Sequence, residues 1–243
     1  MMRAYFPGLI LNSKQCVITD VDEVHHLKNV LRVKSGDIVS VFNGKGLQAQ
    51  GVIEEISPKL IKIFTHNFEQ ISESLPRLIL ACAIPKNSKF ELIVEKATEL
   101  GVSEIVPLLT QRTEFGRVKY AGGHKVDRFK TVALNACKQC QRAYFPKIHE
   151  FTKFDKALDV LVDKSTVIIP SLMGERKLLK DVLLNQSNKN AFSFFIGPEG
   201  DFTPEEYALA FQKGCIPVTL GANILRVETA AISVMAFSQI FLK

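Results

Sequence analysis

The chain has 243 residues, of which 47% are hydrophobic, enough for one large or two small packed domains. Its formal net charge of +6 permits a polyanionic partner without proving one. No apolar run approaches membrane-spanning length, and the first residues lack the features of a signal peptide, so we expect a soluble, cytoplasmic protein. Five scattered cysteines, an odd number, favour reduced thiols over a disulfide framework.

The first 70 or so residues are predicted to form a small β-rich unit. The sequence NGKG at 43–46 is a strong hairpin turn between two strands. The predicted strands are 39–42, 48–56 and 59–64, and a helix is predicted at 22–30. A polar stretch ending at Pro76 marks the domain boundary. The sequence therefore predicts an N-terminal domain at 1–72 and a second domain at 73–243.

The second domain alternates predicted strands with predicted helices. The strands are 77–84, 105–109, 166–169, 191–196 and 216–220. The helices are 90–100, 124–142, 154–162, 176–184 and 227–242. This alternation is typical of an α/β fold with a parallel sheet.

Basic residues concentrate in the segment 111–142, which holds eight Lys and Arg against two acidic residues. Residues 1–72, by contrast, hold eight basic and seven acidic residues. A charge run of this kind is usually a solvated helix face. Because its excess equals that of the whole chain, we interpret it as a surface that faces phosphates. The candidate RNA-binding residues here are Arg112, Arg128, Lys130 and Arg142.

Two turns in the C-terminal part could each bind a ligand. The sequence GPEG at 197–200 ends a predicted strand, and Thr203, Pro204 and Glu206 then give an N-cap, a first-turn proline and a capping box. A second loop, 221–226, likewise joins a strand to the last helix. Ligands of α/β proteins bind beyond the carboxyl ends of strands, so these loops are either a ligand crevice or ordinary connections.

The motifs IGPEGDFTPEE at 196–206 and LGANILRVETAA at 220–231 together resemble the signature of the RsmE family, which belongs to the SPOUT superfamily. The resemblance implies methylation of N3 of a uridine in 16S rRNA of the small ribosomal subunit (30S). It also implies a C-terminal trefoil-knotted parallel α/β domain of SPOUT type behind an N-terminal PUA-like barrel that holds RNA. The cofactor would be S-adenosylmethionine, lying between the two loops.

The resemblance, together with the position of both loops at the ends of predicted strands, indicates the site residues. The cofactor-binding candidates are Ile196, Gly197, Pro198, Gly200, Leu220, Gly221, Ile224, Leu225 and Thr229. We expect Arg226 to stabilise negative charge on the uracil, with Glu199 as a candidate base. In the N-terminal domain, Arg3, His26 and Arg32 match the family pattern and are the expected RNA contacts.

Further expectations concern assembly and rival functions. The last helix is apolar on more than one face, which implies that it is buried against more than the sheet. Because SPOUT enzymes pair through such helices, the resemblance implies a homodimer. Cys137 and Cys140 form a CxxC pair without two further ligands at suitable spacing, so no metal is expected.

Two positions depart from the family: Asp201 replaces a common glycine and Asn223 a common basic residue. The alternatives are a non-catalytic RNA-binding or ribosome-assembly factor and a SPOUT enzyme with another RNA target.

Overall fold

The computed structural model describes residues 2–86, 89–113, 124–186 and 188–242. The described residues fall into two compact units. The first comprises Met1–Glu73 with Cys137–Phe145, and the second comprises Ser74–Ala136 with Pro146–Lys243. The predicted domain 73–243 had included Cys137–Phe145, which the structure groups with the first unit. No local signal marks this segment, because its assignment depends on residues distant in sequence.

The described residues of the first unit form a five-stranded sheet in the order β1-β3-β4-β5-β2. Its strands are β1 (Arg3–Tyr5), β2 (Gln15–Ile18), β3 (Ile38–Phe42), β4 (Leu47–Ile56) and β5 (Ile61–Gln70). Strand β1 runs parallel to β3, and the other pairs are antiparallel. Helix α1 (Val21–His25) continues into a π-helical turn, His26–Val30. The short strands β1 and β2 were missed because three or four residues show no clear alternation.

The hairpin between β3 and β4 forms as its sequence predicts. The Asn43 side-chain oxygen accepts hydrogen bonds from the backbone N–H groups of Lys45 (2.7 Å) and Leu47 (3.2 Å). Gly44 and Gly46 have φ angles of +75° and +94°, which glycine adopts without steric cost. The turn thereby pairs two strands whose buried faces share one apolar core.

The described residues of the second unit form a parallel sheet in the order β11-β13-β10-β12-β6-β7-β8, with β9 also paired to β7. The strands are β6 (Arg77–Ala83), β7 (Glu104–Leu109), β8 (Lys147–Ile148), β9 (Thr152–Lys153), β10 (Thr166–Pro170), β11 (Lys177–Leu178), β12 (Ala191–Ile196) and β13 (Ile216–Thr219). The predicted α/β fold with a parallel sheet is confirmed.

The described part of the chain beyond residue 74 contains six helices. They are α2 (Lys89–Glu99), α3 (His124–Gln139), α4 (Phe154–Val162), α5 (Leu179–Asn185), α6 (Pro204–Gln212) and α7 (Val227–Phe241). Two predicted helix bounds were wrong by three residues, whereas the predicted helices 90–100 and 227–242 agree with α2 and α7 to within one residue. The helix expected at 176–184 begins only at Leu179, after strand β11, and the helix expected to reach residue 142 ends at Gln139.

Strand β12 lies inside the second sheet, between β10 and β6, and all six of its residues are buried. A strand covered on both faces reads as a continuous apolar run rather than an alternating one. Phe195 packs with Phe154, Phe202 and Tyr207 in one core cluster. Each such buried side chain contributes about 1.5–3 kcal/mol. The loop after β12 is therefore attached to a rigid strand.

None of the described helices combines the length and the apolar character needed to cross a membrane. The described residues contain no cluster of three or more His, Cys, Asp or Glu side chains arranged to hold a metal ion.

Candidate active site

A cavity of about 300 Å³ lies at the carboxyl ends of β10, β12 and β13. Ligands of open parallel sheets bind at this edge. The walls are residues 170–172 and 176 after β10, 196–199 and 201 after β12, and 218–221, 223–227 and 230 at the end of β13 and beyond. The structure thus brings together both loops that the sequence singled out, and it adds a third.

The turn after β12 is held by the cap of helix α6. The Thr203 hydroxyl accepts a hydrogen bond from the Glu206 backbone N–H (3.2 Å), and the Glu206 carboxylate accepts one from the Thr203 N–H (2.9 Å). Pro204 occupies the first helical turn. The predicted capping box is confirmed, and it fixes where the loop meets the helix.

Gly197 and Asp201 are packed closely within this loop. A Cβ atom at Gly197 would lie 3.1 Å from Asp201 Oδ1 and 3.3 Å from the Phe202 ring. Asp201 has a φ angle of +62°, in the left-handed region that favours glycine and that Asp tolerates. Its Oδ1 accepts hydrogen bonds of 2.8 Å from the Phe202 N–H and the Tyr207 hydroxyl. Asp201 therefore adopts a backbone conformation that favours glycine, and its side chain stabilises the loop through these two hydrogen bonds.

Arg112 supports the same loop from the turn after β7. Its Nη1 donates hydrogen bonds to the carbonyl oxygens of Gly200 (2.7 Å) and Phe202 (3.4 Å). Beside it, the Gln111 backbone N–H donates to Glu206 Oε1 (2.9 Å). The sequence suggested that Arg112 contacts RNA; the structure places its guanidinium on the carbonyls of the loop after β12.

The turn that carries Arg112 is itself fixed by two threonines. The Thr110 N–H donates to Thr113 Oγ1 (3.1 Å), and the two hydroxyl oxygens lie 2.6 Å apart. Both side chains are buried. Sequence reasoning gave these threonines no role, although their three-residue spacing at a strand end is a recognisable turn signal.

Glu199 and Arg226, the two catalytic candidates, both line the cavity and are exposed. Glu199 Oε1 accepts a hydrogen bond from the Lys86 backbone N–H (2.8 Å). Arg226 occupies the N-cap position of α7, and its backbone carbonyl accepts the first helical bond, from Ala230 (2.8 Å). The structure therefore brings a carboxylate and a guanidinium to one cavity.

The neighbouring carboxylate of Glu228 has a different partner. Its Oε1 accepts a hydrogen bond from Lys89 Nζ at 2.7 Å. This bond, with smaller contributions from its own backbone and from Arg226, lowers the pKa of Glu228 below the ordinary carboxyl value. Glu228 thus ties the first turn of α7 to the start of α2.

Several lining residues were not anticipated from the sequence. Ser171, Leu172 and Arg176 follow β10, and the Arg176 guanidinium donates to the Ser171 carbonyl (3.2 Å). These residues follow a predicted strand, which could have marked them as candidates. No local sequence pattern, however, shows that β10 lies between β12 and β13. Two predicted cofactor residues, Gly200 and Thr229, are outside the lining.

The lining matches a ligand that has both apolar and charged parts. Ile196, Leu220 and Leu225 supply apolar surface, while Glu199 and Asp201 contribute carboxylates and Arg176 and Arg226 contribute cations. The volume is at the lower end of the ~300–1,000 Å³ found for small-molecule sites. S-adenosylmethionine fits this chemistry, since it joins an adenosine to a zwitterionic, sulfonium-bearing chain.

The basic residues of α3 are engaged with carboxylates. Arg128 forms a two-pronged contact with Glu91, at 2.6 Å and 2.9 Å, and Lys130 pairs with Asp127 at 3.0 Å. Exposed pairs of this kind contribute about 0–1 kcal/mol, so a phosphate can replace the carboxylate at little cost. Part of the predicted basic segment, residues 114–123, lies outside the described residues.

In the first unit, Arg3 is only 4% exposed. Its guanidinium donates to the carbonyl oxygen of Cys137 (3.1 Å) and to Gln48 Oε1 (3.0 Å), and it lies 4.2 Å from the centroid of the Phe42 ring. Burial lowers the pKa of Arg3 below its usual value. These contacts give Arg3 a structural role that its position in the sequence did not reveal.

The other RNA-binding candidates of this unit differ in exposure. Arg32 is exposed and has a φ angle of +54°. His26 is half-buried, and burial followed by the charge of Lys138 lowers its pKa, which favours the neutral imidazole. Arg142 is also half-buried, and burial lowers its pKa. Of these three, Arg32 presents its side chain most openly.

The chain matches known families over most of its length. A model of an RNA methyltransferase domain matches residues 72–239, and one of an RNA methyltransferase PUA domain matches residues 18–64. The chain is 31% identical over 209 residues to ribosomal RNA small subunit methyltransferase E of Synechocystis sp., covering 86% of this chain and 67% of that protein. It is 30% identical over 220 residues to the same-named protein of Buchnera aphidicola subsp. Acyrthosiphon pisum, covering 86% and 81%.

A solved structure has the same fold. The crystal structure of a ribosomal RNA small subunit methyltransferase E from Neisseria gonorrhoeae, bound to S-adenosyl methionine, superimposes with a TM-score of 0.88. The two sequences are 27% identical, and the match covers 99% of this chain and 97% of that one.

Proposed function

Because the chain belongs to the RNA methyltransferase family that includes ribosomal RNA small subunit methyltransferase E, we propose that it transfers a methyl group from S-adenosylmethionine to N3 of a uridine in 16S rRNA. The observation that carries this proposal is the cavity at the ends of β10, β12 and β13, which both family motifs line. A solved relative with the same fold is bound to this cofactor.

The cofactor is proposed to lie between the two motif loops. Residues 196–198 form one wall, and Leu220, Gly221, Ile224 and Leu225 form the facing part. Gly200 then contributes from outside the lining, as the acceptor of the Arg112 hydrogen bond. Thr229 is exposed in the first turn of α7, next to the lining residue Ala230.

The reaction asks the protein mainly for positioning and charge. S-adenosylmethionine, when bound, supplies a methyl group on a sulfonium that is already activated for transfer. Uracil N3 carries a proton at neutral pH and must lose it as it attacks. Arg226 is proposed to stabilise the negative charge that develops on the uracil carbonyls. Glu199 is proposed as the base: among the described contacts its bond to Lys86 uses Oε1, which leaves Oε2 to take the proton.

RNA would be held by exposed cations of both units. Arg32, Arg128 and Lys130 are the best-placed candidates, since each is exposed or held by exchangeable surface contacts. His26 and Arg142 would contribute at shorter range from half-buried positions. We propose the 30S subunit or its rRNA as the substrate and the cytoplasm as the location of the enzyme.

The assembly is proposed to be a homodimer built on α7. Phe237 and Phe241 stack on each other at a centroid distance of 5.3 Å, and both rings are more than one-third exposed. Ile240 beside them is 81% exposed. A second copy covering this apolar patch would remove it from water.

The trefoil knot of the SPOUT superfamily is proposed for the second unit.

The test is direct detection of the product. The purified protein is incubated with S-adenosylmethionine and 30S subunits from a strain that lacks this modification, and the digested 16S rRNA is analysed by mass spectrometry. N3-methyluridine is expected. A different methylated nucleoside would replace the target, and absence of both product and cofactor binding would favour the non-catalytic RNA-binding function.

A further inference from the structure

The first unit contains a second cavity, of about 250 Å³, that shares no lining residue with the proposed cofactor site. It opens on the face of the sheet that carries Ser40 on β3 and Gln48 and Gln50 on β4. Ser40 pairs with Gln50 across the two strands, and Gln48 pairs with Glu69 on β5. Polar side chains therefore line a concave surface on a rigid sheet.

One wall is fixed by a chain of hydrogen bonds that starts at Arg3. Arg3 Nη2 donates to Gln48 Oε1 (3.0 Å), and Gln48 Nε2 donates to Glu69 Oε2 (2.8 Å). Arg3 is held in turn by the Cys137 carbonyl and by Phe42. Its Nε has no hydrogen-bond partner among the described residues. These contacts leave Glu69 Oε1 as an acceptor at the surface of the cavity.

A second wall presents a matched donor and acceptor. Asn67 Nδ2 donates to Gln50 Oε1 (3.1 Å), and both side chains are exposed. Within the described contacts, Gln50 Nε2 and Asn67 Oδ1 remain available to a ligand. Gln141, exposed and held at a φ angle of +61°, lines the cavity from the turn after α3.

The charges in this cavity disfavour a phosphate. Glu69 contributes a carboxylate, and Arg3, the one cation among the lining residues, is already bound to Gln48 and Cys137. Side-chain amides are the groups that pair with the donor and acceptor edges of nucleobases, and unpaired RNA bases are the ones that proteins can reach. The volume is smaller than that of most drug-sized sites, as a single base requires.

We propose that this cavity binds one unpaired base of the RNA substrate, through the amides of Gln50, Asn67 and Gln141 and the carboxylate of Glu69. The inference rests on the proposed function, since it assumes that the substrate is RNA. The base held here is separate from the uridine that is methylated. The first unit would thereby select the RNA by sequence as well as by charge.

The test compares RNA with and without bases. The full-length protein is titrated with fluorescently labelled RNA hexamers of each of the four bases and with an abasic ribose-phosphate hexamer. Gln50→Leu removes the amide at similar volume and is expected to weaken the best-bound hexamer about 5- to 100-fold, while leaving abasic binding unchanged. Gln15→Leu is the matched control, because Gln15 is an exposed amide of the same sheet outside the cavity.

The second variant is Glu69→Gln, which keeps the shape and replaces an acceptor by a donor. It should change the order of preference among the four hexamers. The proposal is overturned if Gln50→Leu binds every hexamer like the wild type, or if it weakens abasic binding equally. Titration of the same variants with S-adenosylmethionine separates the two claims: unchanged cofactor affinity with no base effect would sink this inference and leave the proposed function standing.

Discussion

The Arg112 guanidinium donates a 2.7 Å hydrogen bond to the Gly200 carbonyl, joining the turn after β7 to the loop after β12. Because a charged donor braces this loop, Arg112→Ala should weaken S-adenosylmethionine binding, by about 3- to 30-fold given that the bond is exposed. Arg112→Lys should recover part of the loss. Titration calorimetry measures both affinities.

The matched control for Arg112 is Arg128→Ala, which removes an exposed arginine of the same unit without touching the loop. It should leave cofactor affinity unchanged and should reduce the salt dependence of RNA binding. If Arg112→Ala instead flattened the salt slope and spared cofactor affinity, Arg112 would be an RNA contact.

Gly197→Val should abolish cofactor binding. A Cβ at this position comes within 3.1 Å of Asp201 Oδ1 and 3.3 Å of the Phe202 ring, neither of which can move without disturbing the loop. Gly200→Ala is the control, because its Cβ would meet Arg112 Cδ at an ordinary 3.5 Å. Calorimetry should show no binding for the first variant and near-normal binding for the second. Equal behaviour of the two would contradict a steric role for Gly197.

Arg226→Ala should strongly reduce the rate of methyl transfer while leaving cofactor affinity within a few-fold of the wild type. Loss of one group that stabilises developing negative charge typically lowers kcat about 10²–10³-fold. Single-turnover transfer to 30S subunits, followed by mass spectrometry, measures the rate. A variant that transferred normally would remove Arg226 from the chemistry.

Ile240→Glu should convert a homodimer into monomers, because it puts a charge into the exposed apolar patch of α7. Val160→Glu, at a half-exposed apolar position on α4, is the control and should stay dimeric. Light scattering coupled to size-exclusion chromatography gives the masses. A wild-type protein that is monomeric at micromolar concentration would refute the dimer.

The contacts of Glu104 indicate that it contributes to the free energy of unfolding in a pH-dependent way. Its carboxylate accepts from Arg77 Nη2 (2.8 Å) and contacts His149 Nε2, and the His149 hydrogen bond, with a smaller contribution from Arg77, lowers its pKa. The pKa of this carboxyl is lower in the folded protein than in the unfolded chain. The ionised carboxylate therefore stabilises the fold at pH values above the ordinary carboxyl pKa, and this stabilisation is lost as the pH falls through the pKa of the folded state.

Glu104→Gln should therefore cost about 1–3 kcal/mol of unfolding free energy at pH 7, and the difference should shrink in acid. Glu150→Gln, at an exposed carboxylate nearby in sequence, should cost little. Urea unfolding at a series of pH values gives both curves. A Glu104→Gln deficit that grew in acid would contradict the assigned sign.

Local signals predicted the strand, turn and cap around Gly197 correctly. The apolar run of β12 and the capping box of Thr203 and Glu206 are both encoded within a few residues. The NGKG hairpin could be predicted from the sequence for the same reason. Elements whose determinants are adjacent in sequence can thus be predicted without the structure.

Contacts between distant residues could not be predicted this way. Arg112 and Gly200 are 88 positions apart, and Arg128 and Glu91 are 37 apart. A basic run shows its charge but not its partners, so the tie between Arg112 and the loop stayed hidden. The third wall of the cavity, around Arg176, depended on the strand order β13-β10-β12, which no local pattern encodes.

The cavity bounded by the two motif loops is proposed to bind the cofactor, and a crystal of the protein soaked with S-adenosylmethionine would show whether it does. We predict electron density for the cofactor between residues 196–199 and 220–226. Density at another location, or none at saturating cofactor, would show that this cavity is not the cofactor site.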